Sequence, residues 1–149
     1  MMASDLGGLY REVILEHARS TQHRGLMADP TLVHRGVNSQ CGDEVALSLR
    51  LESDRVVDLA IGGQGCAISQ ASASIMADLV IGHSFEEIAA GAAAFKRMLS
   101  GDGEVDEGLL GDGAALRGVR RFPRRVTCAV LAWTTLHEAL DLYQRRAAL

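Results

Sequence analysis

A switch to strict alternation in the first half of the chain constrains the fold more than any other feature of the sequence. In EVALSLRLE, residues 44–52, the apolar residues occupy every second position, and RVVDLAIGG, residues 55–63, repeats the pattern with Val57, Leu59 and Ile61. Alternation with a period of two is typical of a β-strand that buries one face. Because only a short turn separates the two stretches, they predict a β-hairpin and therefore an antiparallel sheet.

Helical periodicity dominates the segments on either side of this hairpin. Residues 4–19 and 66–82 carry apolar residues at helical spacing, and a third helix is expected to follow Ser84, which forms a capping-box pattern with Glu87. After Pro123 a long amphipathic helix is expected to run to the end of the chain. The side chains expected on the helical faces are Leu6, Leu9, Tyr10, Val13 and Ile14 in the first helix, Ile68, Ser72, Ile75, Met76 and Leu79 in the second, and Val126, Val130, Trp133, Leu136, His137 and Leu140 in the last.

Weaker signals mark the ends of these elements and their connections. Ser4 is expected to cap the first helix, and Gly82 to follow the end of the second. Residues 31–39 predict a short edge strand, and the glycine-rich residues 101–123 predict irregular structure with one short helix. A helix, a sheet and then several helices predict an α+β fold, in which a small antiparallel sheet of about three strands is covered by helices on one face. Residues 1–149 show no repeat and no low-complexity linker, so a single domain is expected.

Composition narrows the classes of function. The net charge is −4 and the chain has no lysine-rich run, which argues against nucleic acid as a partner. No stretch of 18 apolar residues exists, so no membrane span is expected. The N-terminal stretch contains acidic residues and no apolar core of a secretory signal, so a cytoplasmic location is expected, where thiols stay reduced.

The three cysteines of the chain all lie at junctions between predicted elements. Cys41 lies in the loop that enters the first long strand, Cys66 lies where a strand ends and a helix begins, and Cys128 lies within about the first turn of the last helix. A thiol near a helix N-terminus is close to unpaired backbone N–H groups, which stabilise the thiolate. Thiolates are the reactive form of cysteine both as nucleophiles and as metal ligands.

Asp43 is the natural fourth member of a set with these cysteines. Residues i and i+2 of an extended backbone share a face, so Cys41 and Asp43 can point the same way, and Gly42 between them permits a close approach. A closed zinc site uses four ligands, mostly Cys and His with an occasional carboxylate. Free cysteines also often pack in cores, and C-x24-C-x61-C contains no C-x2-C pair. From spacing alone, metal binding and core packing therefore both remain open.

The histidines give no pattern for catalysis. His137 lies on the apolar face of the last helix, where a hydrogen-bonded core histidine is expected. The other four are expected at the surface or in loops, and none adjoins a cysteine, which argues against a Cys–His hydrolase. They are His17, His23, His34 and His83.

Three stretches of the sequence resemble one family. NSQCGD, GGQGCAISQASASIM and RRVTC together resemble the IscU/SufU family of iron–sulfur cluster assembly proteins, whose domain is also called NifU N-terminal-like. The resemblance extends over essentially the whole chain and implies an IscU-like fold. It also implies that Cys41, Asp43, Cys66 and Cys128 are the metal ligands.

Two departures from the IscU pattern make the chain resemble the SufU branch. Thr127 stands where IscU-like members have a histidine before the third cysteine, and FPRRVT stands in place of an LPPVK segment. In addition, LLGDGAALRGVRRFPRR resembles the insertion that distinguishes SufU from IscU. This branch implies a zinc-dependent sulfurtransferase that takes persulfide sulfur from a PLP-dependent cysteine desulfurase of the SufS type and supplies downstream iron–sulfur scaffold proteins.

The resemblance also assigns individual roles. In the family mechanism a desulfurase histidine replaces one zinc-bound cysteine and so frees its thiolate to accept sulfur; in this chain that residue would be Cys41. The alternative is a scaffold that binds iron and assembles a [2Fe–2S] cluster on the same ligands.

A basic cluster precedes the third cysteine. Arg125 lies three residues before Cys128, about one helical turn, so it is expected either near the site, where it would balance negative charge, or in solvent. The other arginines of the cluster are expected to lie at the surface or to contact a docked partner protein. They are Arg117, Arg120, Arg121 and Arg124.

Overall fold

The computed structural model describes residues 2–25, 27–100 and 104–148, with the backbone alone for residues 2–9 and 148. Within these ranges the elements are α1 (Met2–Arg19), β1 (Leu32–Asn38), β2 (Asp43–Glu52), β3 (Arg55–Gln64), α2 (Ala67–Val80), α3 (Phe85–Leu99), α4 (Glu107–Leu110), a 3₁₀ helix (Gly111–Arg121) and α5 (Pro123–Ala148). None of the described helices combines the length and apolar character that crossing a bilayer requires.

The strands form one antiparallel sheet in the order β1-β2-β3, as the alternation predicts. The predicted inward-facing residues of β2 are all buried, and Leu47, at the centre of the sheet, pairs with His34 of β1 and Ile61 of β3. The edge strand predicted within residues 31–39 is β1. The four buried residues of β2 are Val45, Leu47, Leu49 and Leu51.

The prediction for Val57 is wrong, because β3 contains a register shift. Arg50 pairs with Asp58, whereas the next residue, Leu51, pairs with Val56. The bulge reverses the alternation at this end of β3, so Val56 is fully buried and Val57 is 39% exposed. Leu59 and Ile61, beyond the bulge, are buried as expected.

The helices pack on one face of the sheet, as predicted for this α+β fold. On β1, a Cβ at Gly36 would collide with Thr135 of α5, so a glycine at this position allows the helix to approach the strand closely. Ser72 of α2 donates a hydrogen bond to the carbonyl oxygen of Ala129 in α5. Trp133 of α5 stacks on Phe95 of α3 with ring centroids 5.4 Å apart. The long last helix therefore lies at the centre of the helical layer.

Two of the predictions for helix ends are confirmed, and one is wrong. Gly82 follows the last turn of α2 with a φ of 86°, and Ser84 and Glu87 form both hydrogen bonds of a capping box at the start of α3. Ser4 is not the N-cap of α1, because this helix already begins at Met2. The predictions for the side chains of Leu6 and Leu9 lie outside the described residues.

Two further predictions for side chains of the helical layer are wrong. Tyr10 is 41% exposed, whereas Ile14, about one turn later in α1, is partly buried against the core. His137 is exposed, because it lies beside Leu136, which occupies the buried side of α5 at this turn. A helical turn buries only part of its circumference, and sequence spacing alone does not fix where the buried part ends.

The segment predicted to be irregular is largely helical where it is described. After Gly101–Gly103, which lie outside the described residues, α4 is followed directly by the 3₁₀ helix Gly111–Arg121. Leu110, Leu116 and Val119 are buried and anchor this segment to the core. These few apolar residues are spaced too unevenly for a helical pattern to stand out in the sequence.

Candidate metal centre

The three cysteines and Asp43 meet at one end of the sheet. Cys41 lies in the turn between β1 and β2, and Asp43 is the first residue of β2. Cys66 is the N-cap of α2, directly after β3, and Cys128 lies in the second turn of α5. In the antiparallel sheet, the start of β2 lies beside the end of β3, which brings the two junctions together.

The donor atoms of the four side chains lie close together. The Sγ atoms of Cys41 and Cys128 are 3.4 Å apart, and one ligand atom each of Cys41, Asp43 and Cys128 can be chosen so that all lie within 4.8 Å of one another. Cys66 joins this trio through Asp43: its backbone N–H donates to Oδ1 at 2.9 Å, and its Sγ lies 3.5 Å from Oδ2. The structure thus brings together all four residues that the sequence analysis singles out.

The four side chains differ in their access to solvent. Asp43 and Cys128 are each 3% exposed, Cys66 is half-buried, and Cys41 is exposed. Cys41 is therefore the most accessible of the three thiols, while Asp43 and Cys128 are shielded from solvent.

The environment favours an ionised Asp43. Burial opposes ionisation of the carboxyl, but hydrogen bonds from the Cys41 thiol, the Cys66 backbone N–H, and the Cys128 and Cys66 thiols outweigh it and lower the pKa of Asp43 below its ordinary value. The centre therefore holds a buried negative charge that these hydrogen bonds stabilise.

Cys128 contradicts the expectation of a thiol stabilised by a helix N-terminus. It lies in the second turn of α5, and its Sγ donates to the carbonyl oxygen of Arg124 at 3.4 Å. Burial, and then hydrogen bonds with Asp43, Cys41 and Cys66, raise the pKa of the Cys128 thiol well above its ordinary value. Because thiols bind metals as thiolates, a bound cation would have to stabilise Cys128 in that form.

The chemistry of this donor set fits a cation with an affinity for thiolates. Thiolate-rich sets select zinc, copper(I) and iron–sulfur clusters, and zinc also accepts a carboxylate oxygen. A cation at this position would also compensate the buried charge of Asp43. Within the described ranges, Cys41, Asp43 and Cys128 form the group of acidic, histidine or cysteine side chains that is close enough to hold a metal.

Residues outside the predicted set shape the loop that carries Cys41. Asn38 accepts a hydrogen bond from the N–H of Gln40 through Oδ1 and one from the N–H of Gly42 through its backbone oxygen, and Gly42 has a φ of 74°. The Asn38 amide donates to Thr127 Oγ1 at 2.9 Å, which ties the loop to α5. An asparagine directly before the turn is the local signal that could have identified this role.

A second glycine makes room for the carboxylate. A Cβ at Gly65 would collide with Ser69 Oγ and would lie 2.8 Å from Asp43 Oδ1. Ser69 itself donates to the carbonyl oxygen of Cys66 at 3.1 Å and so holds the first turn of α2. The sequence gives no signal for either role, because both depend on contacts between β3, α2 and β2.

The remaining candidates are Arg125 and the histidines. Arg125 is exposed in the first turn of α5, and its role at the site stays a prediction. Four of the histidines contact carboxylates elsewhere on the molecule, in the pairs His17–Asp112, His23–Asp78, His34–Glu138 and His83–Glu87.

Comparison with known proteins gives a consistent result. Residues 9–149 match the model of the NifU-like N-terminal domain. The chain is 41% identical to the iron–sulfur cluster assembly scaffold protein IscU of Thermotoga maritima, over 92% of this chain and 96% of that protein. It is 37% identical to the zinc-dependent sulfurtransferase SufU of Bacillus subtilis, over 92% of each chain.

A solved structure agrees with these relatives. The crystal structure of the N-terminal part of a NifU-like protein from Brucella abortus has a TM-score of 0.86 and 30% identity, and the alignment covers 97% of this chain and 99% of that one. The protein therefore belongs to the family of the NifU-like N-terminal domain, the iron–sulfur cluster assembly proteins that include IscU and SufU.

Proposed function

We propose that this protein is a zinc-dependent sulfurtransferase that accepts persulfide sulfur from a partner cysteine desulfurase of the SufS type. The observation that carries the proposal is the contrast within the centre: Cys41 is exposed, yet its Sγ lies 3.4 Å from the Sγ of the buried Cys128. An acceptor thiol must be reachable by the donor, which the exposure of Cys41 provides, and a metal bound by both sulfur atoms would hold it as a thiolate.

The residues that would hold zinc are Cys41, Asp43, Cys66 and Cys128. When bound, zinc would keep the thiols deprotonated and would restrain the nucleophilicity of Cys41 until a partner docks. Asp43 is the first residue of β2, Cys66 is the N-cap of α2, and Cys128 lies in the second turn of α5, so regular structure fixes all three. Cys41 belongs to a turn, which makes it the member of the set that can move most easily.

Sulfur transfer itself needs a nucleophile and no redox agent. The Cys41 thiolate would attack the terminal sulfur of the desulfurase persulfide. The donor's S–S bond breaks, a new S–S bond forms on Cys41, and the donor cysteine leaves as a thiolate. Downstream iron–sulfur scaffold proteins would then receive the sulfur. Cys41 must stay reduced between cycles, a condition that the cytoplasm provides.

The residue before Cys128 supports this function over cluster assembly. Thr127 supplies no imidazole, and its hydroxyl already donates to the carbonyl oxygen of Arg124 at 2.6 Å and accepts from Asn38 at 2.9 Å. It therefore braces the Cys41 loop and offers no ligand of the kind found in IscU-like members.

The second candidate function is a scaffold that assembles a [2Fe–2S] cluster on the same four residues. The relative from Thermotoga maritima, at 41% identity, is named an iron–sulfur cluster assembly scaffold protein, and a thiolate-rich set also suits iron–sulfur clusters. Metal content distinguishes the two functions.

The decisive experiment combines metal analysis with a desulfurase assay. Protein purified without added metal should contain about one tightly bound zinc per chain, in line with a single four-ligand site, and should stimulate the desulfurase. Cys41→Ser should abolish stimulation and persulfide formation while some zinc remains bound, whereas Gln40→Ala, a change in the same exposed turn, should behave like the wild type.

Two outcomes would contradict the proposal. Coloured protein with stoichiometric iron and sulfide that passes on a cluster would identify a scaffold. Normal sulfur acceptance by Cys41→Ser would remove Cys41 from the role of acceptor.

A further inference from the structure

An exposed aromatic residue flanked by arginines borders the candidate metal centre. Phe122 is 59% exposed, more than any other described aromatic side chain. Arg121, Arg124 and Arg125 are exposed beside it in sequence. We call these four residues the Phe122 rim.

Two backbone hydrogen bonds and the Cys128 thiol connect the Phe122 rim to the cysteines. The carbonyl oxygen of Phe122 accepts the N–H groups of Arg125 and Val126 at 2.8 and 3.0 Å, which fixes the rim at the first turn of α5. The carbonyl oxygen of Arg124 accepts the Cys128 thiol at 3.4 Å, and Cys128 in turn contacts Cys41. A protein that reaches Cys41 along this side therefore meets the rim.

The charges of the rim work against the stability of the helix. The first turn of α5 contains no acidic residue and carries Arg124 and Arg125 instead. Cations at a helix N-terminus oppose the helix dipole, and acidic residues are the stabilising choice there. None of the ion pairs among the described residues compensates Arg121, Arg124 or Arg125. Folding stability does not explain this arrangement, whereas an acidic partner would.

Phe122 adds an apolar contact in a fixed position. Pro123, at the first position of α5, has a restricted φ that suits a helix start, so Phe122 is held at a rigid junction. Aromatic and arginine side chains are the residue types most enriched among the energetically dominant contacts of protein interfaces. A rigid aromatic surrounded by guanidinium groups fits a recess on a protein better than it fits a polyanion, since the chain as a whole has a net charge of −4.

We infer that the Phe122 rim is the docking surface for the sulfur-donating enzyme, which would present carboxylates around an apolar recess that receives Phe122. The inference rests on the proposed function. Docking at the rim would bring the donor persulfide to Cys41 from the side of α5.

Two variants and two matched controls test this surface. Phe122→Ala should weaken binding to the desulfurase by about 30-fold or more, the range of a dominant interface contact. Arg124→Glu should weaken binding and flatten its dependence on salt. Neither change threatens folding, because Phe122 is largely exposed and a glutamate in the first turn of a helix is favourable. The controls are Val57→Ala, an exposed apolar residue near the β2–β3 turn, and Arg146→Glu, at the other end of α5.

Binding is measured by calorimetry with the desulfurase of the same organism at low and at physiological salt. Persulfide formation on Cys41 is measured by mass spectrometry, with the desulfurase as donor and separately with glutathione persulfide, which needs no docking surface. The inference predicts that the two rim variants lose sulfur from the enzyme but still accept it from the small molecule, while both controls match the wild type.

The other outcomes are distinguishable. If wild-type protein accepts sulfur from neither donor, the proposed function fails. If it accepts sulfur normally but the rim variants bind the desulfurase as tightly as the controls do, the docking surface lies elsewhere. A change in oligomeric state of the rim variants without a change in desulfurase binding would assign the rim to a second copy of the chain and overturn the inference.

Discussion

Asp43 is the residue that links two halves of the candidate centre. It is 3% exposed, and its Oδ1 accepts the backbone N–H of Cys66 at the start of α2. The same carboxylate lies beside the thiols of Cys41 and Cys128. The Asp43 side chain thus holds the start of α2 and also places a negative charge beside the thiols.

Replacing Asp43 should separate these two roles in the metal-free protein. Asp43→Ala leaves the Cys66 N–H without its acceptor and should lower the free energy of unfolding by about 1–3 kcal/mol. Asp43→Asn keeps an acceptor oxygen and should lower it less. Urea unfolding at pH 7 in EDTA measures both. Equal stability of Asp43→Ala and wild type in this experiment would mean that the hydrogen bond contributes nothing to stability. Zinc content is measured separately, on protein that has not been treated with EDTA. If both variants contain as much zinc as the wild type, Asp43 is not a ligand.

Gly65 offers a sharper probe, because its role is purely spatial. A Cβ at Gly65 would lie 2.8 Å from Asp43 Oδ1, whereas a Cβ at Gly62, three residues earlier, would meet nothing closer than 3.7 Å. Gly65→Ala should displace the carboxylate and weaken zinc binding by about 10- to 100-fold, the usual effect of disturbing the residues that orient metal ligands. Gly62→Ala is the matched control and should bind zinc like the wild type. Competition with a zinc chelator measures both, and equal affinities would show that Asp43 needs no such space.

The residues of the centre could be predicted only in part. Cys41 and Asp43 lie close together, but the extended backbone predicted to bring them to one side is a turn, in which Gly42 has a φ of 74°. Local reasoning could not unite this pair with Cys66 and Cys128, because the four meet only through the fold. The family resemblance supplied that set. His137 shows the opposite error: its position on an apolar stripe predicted burial, while packing of α5 left it exposed.

At the scale of elements, the capping box at the start of α3 contributes to stability in a way that depends on pH. Ser84 Oγ accepts the N–H of Glu87, and the Glu87 carboxylate accepts the N–H of Ser84. The backbone hydrogen bond from Ser84, followed by the contacts with His83 and the Ser84 hydroxyl, lowers the pKa of Glu87 from 4.5 to about 2. The cap is therefore present at neutral pH and weakens in acid.

The sign of the effect of Glu87→Gln on stability follows from this shift. A carboxyl whose pKa is lower in the folded protein stabilises it above the unfolded pKa, and this contribution disappears as the pH falls through the folded pKa. The melting temperature of Glu87→Gln should thus lie below that of the wild type at pH 7, and the difference should vanish between about pH 4.5 and about pH 2. Circular dichroism melts over this range measure it. Ser84→Ala, which should lose about 1 kcal/mol, serves as a control because it removes an uncharged part of the same cap. A pH-independent difference for Glu87→Gln would contradict the assigned cause.

The elements with strong periodicity could be predicted from the sequence, and the interruptions could not. The alternation of β2 repeats over several residue pairs, and the helical pattern after Pro123 repeats over several turns. A single residue that departs from the pattern therefore does not hide it. The bulge that buries Val56 in place of Val57 depends on how two strands pair, and the 3₁₀ helix Gly111–Arg121 depends on burial of a few residues against neighbouring helices. Both are decided by tertiary contacts.

At the scale of the whole molecule, the hydrophobic core and the candidate centre are separate. Leu47 and Leu49, from the middle of the sheet, are fully buried with Trp133 and Phe95 from the helical layer at 2% exposure or less. The four candidate ligands come from the β1–β2 turn, β2, α2 and α5 at one end of the sheet. A metal there would join elements that the core already holds together, so it should add stability without being required for folding.

Chelation tests this division. Zinc that binds only the folded chain should stabilise it by about 2.7 kcal/mol when free zinc is a hundredfold above its dissociation constant. For a chain of this length that corresponds to a rise in melting temperature on the order of 5–10 °C. Removal of zinc with EDTA should therefore lower the melting temperature by this amount while the far-ultraviolet circular dichroism at 25 °C stays unchanged. The matched control is a variant with Cys41, Cys66 and Cys128 all replaced by serine, whose melting temperature should not respond to EDTA.

Two results would contradict this account in different ways. If EDTA lowers the melting temperature of the triple variant as much as that of the wild type, the metal is bound elsewhere in the chain. If the zinc-free wild type is unfolded at 25 °C, the core is insufficient and the metal is part of the folding free energy, as in small zinc domains. The expected result, a folded but less stable zinc-free protein, would be compatible with the proposed sulfur transfer, in which Cys41 would leave the metal during each cycle while β2, α2 and α5 stay in place.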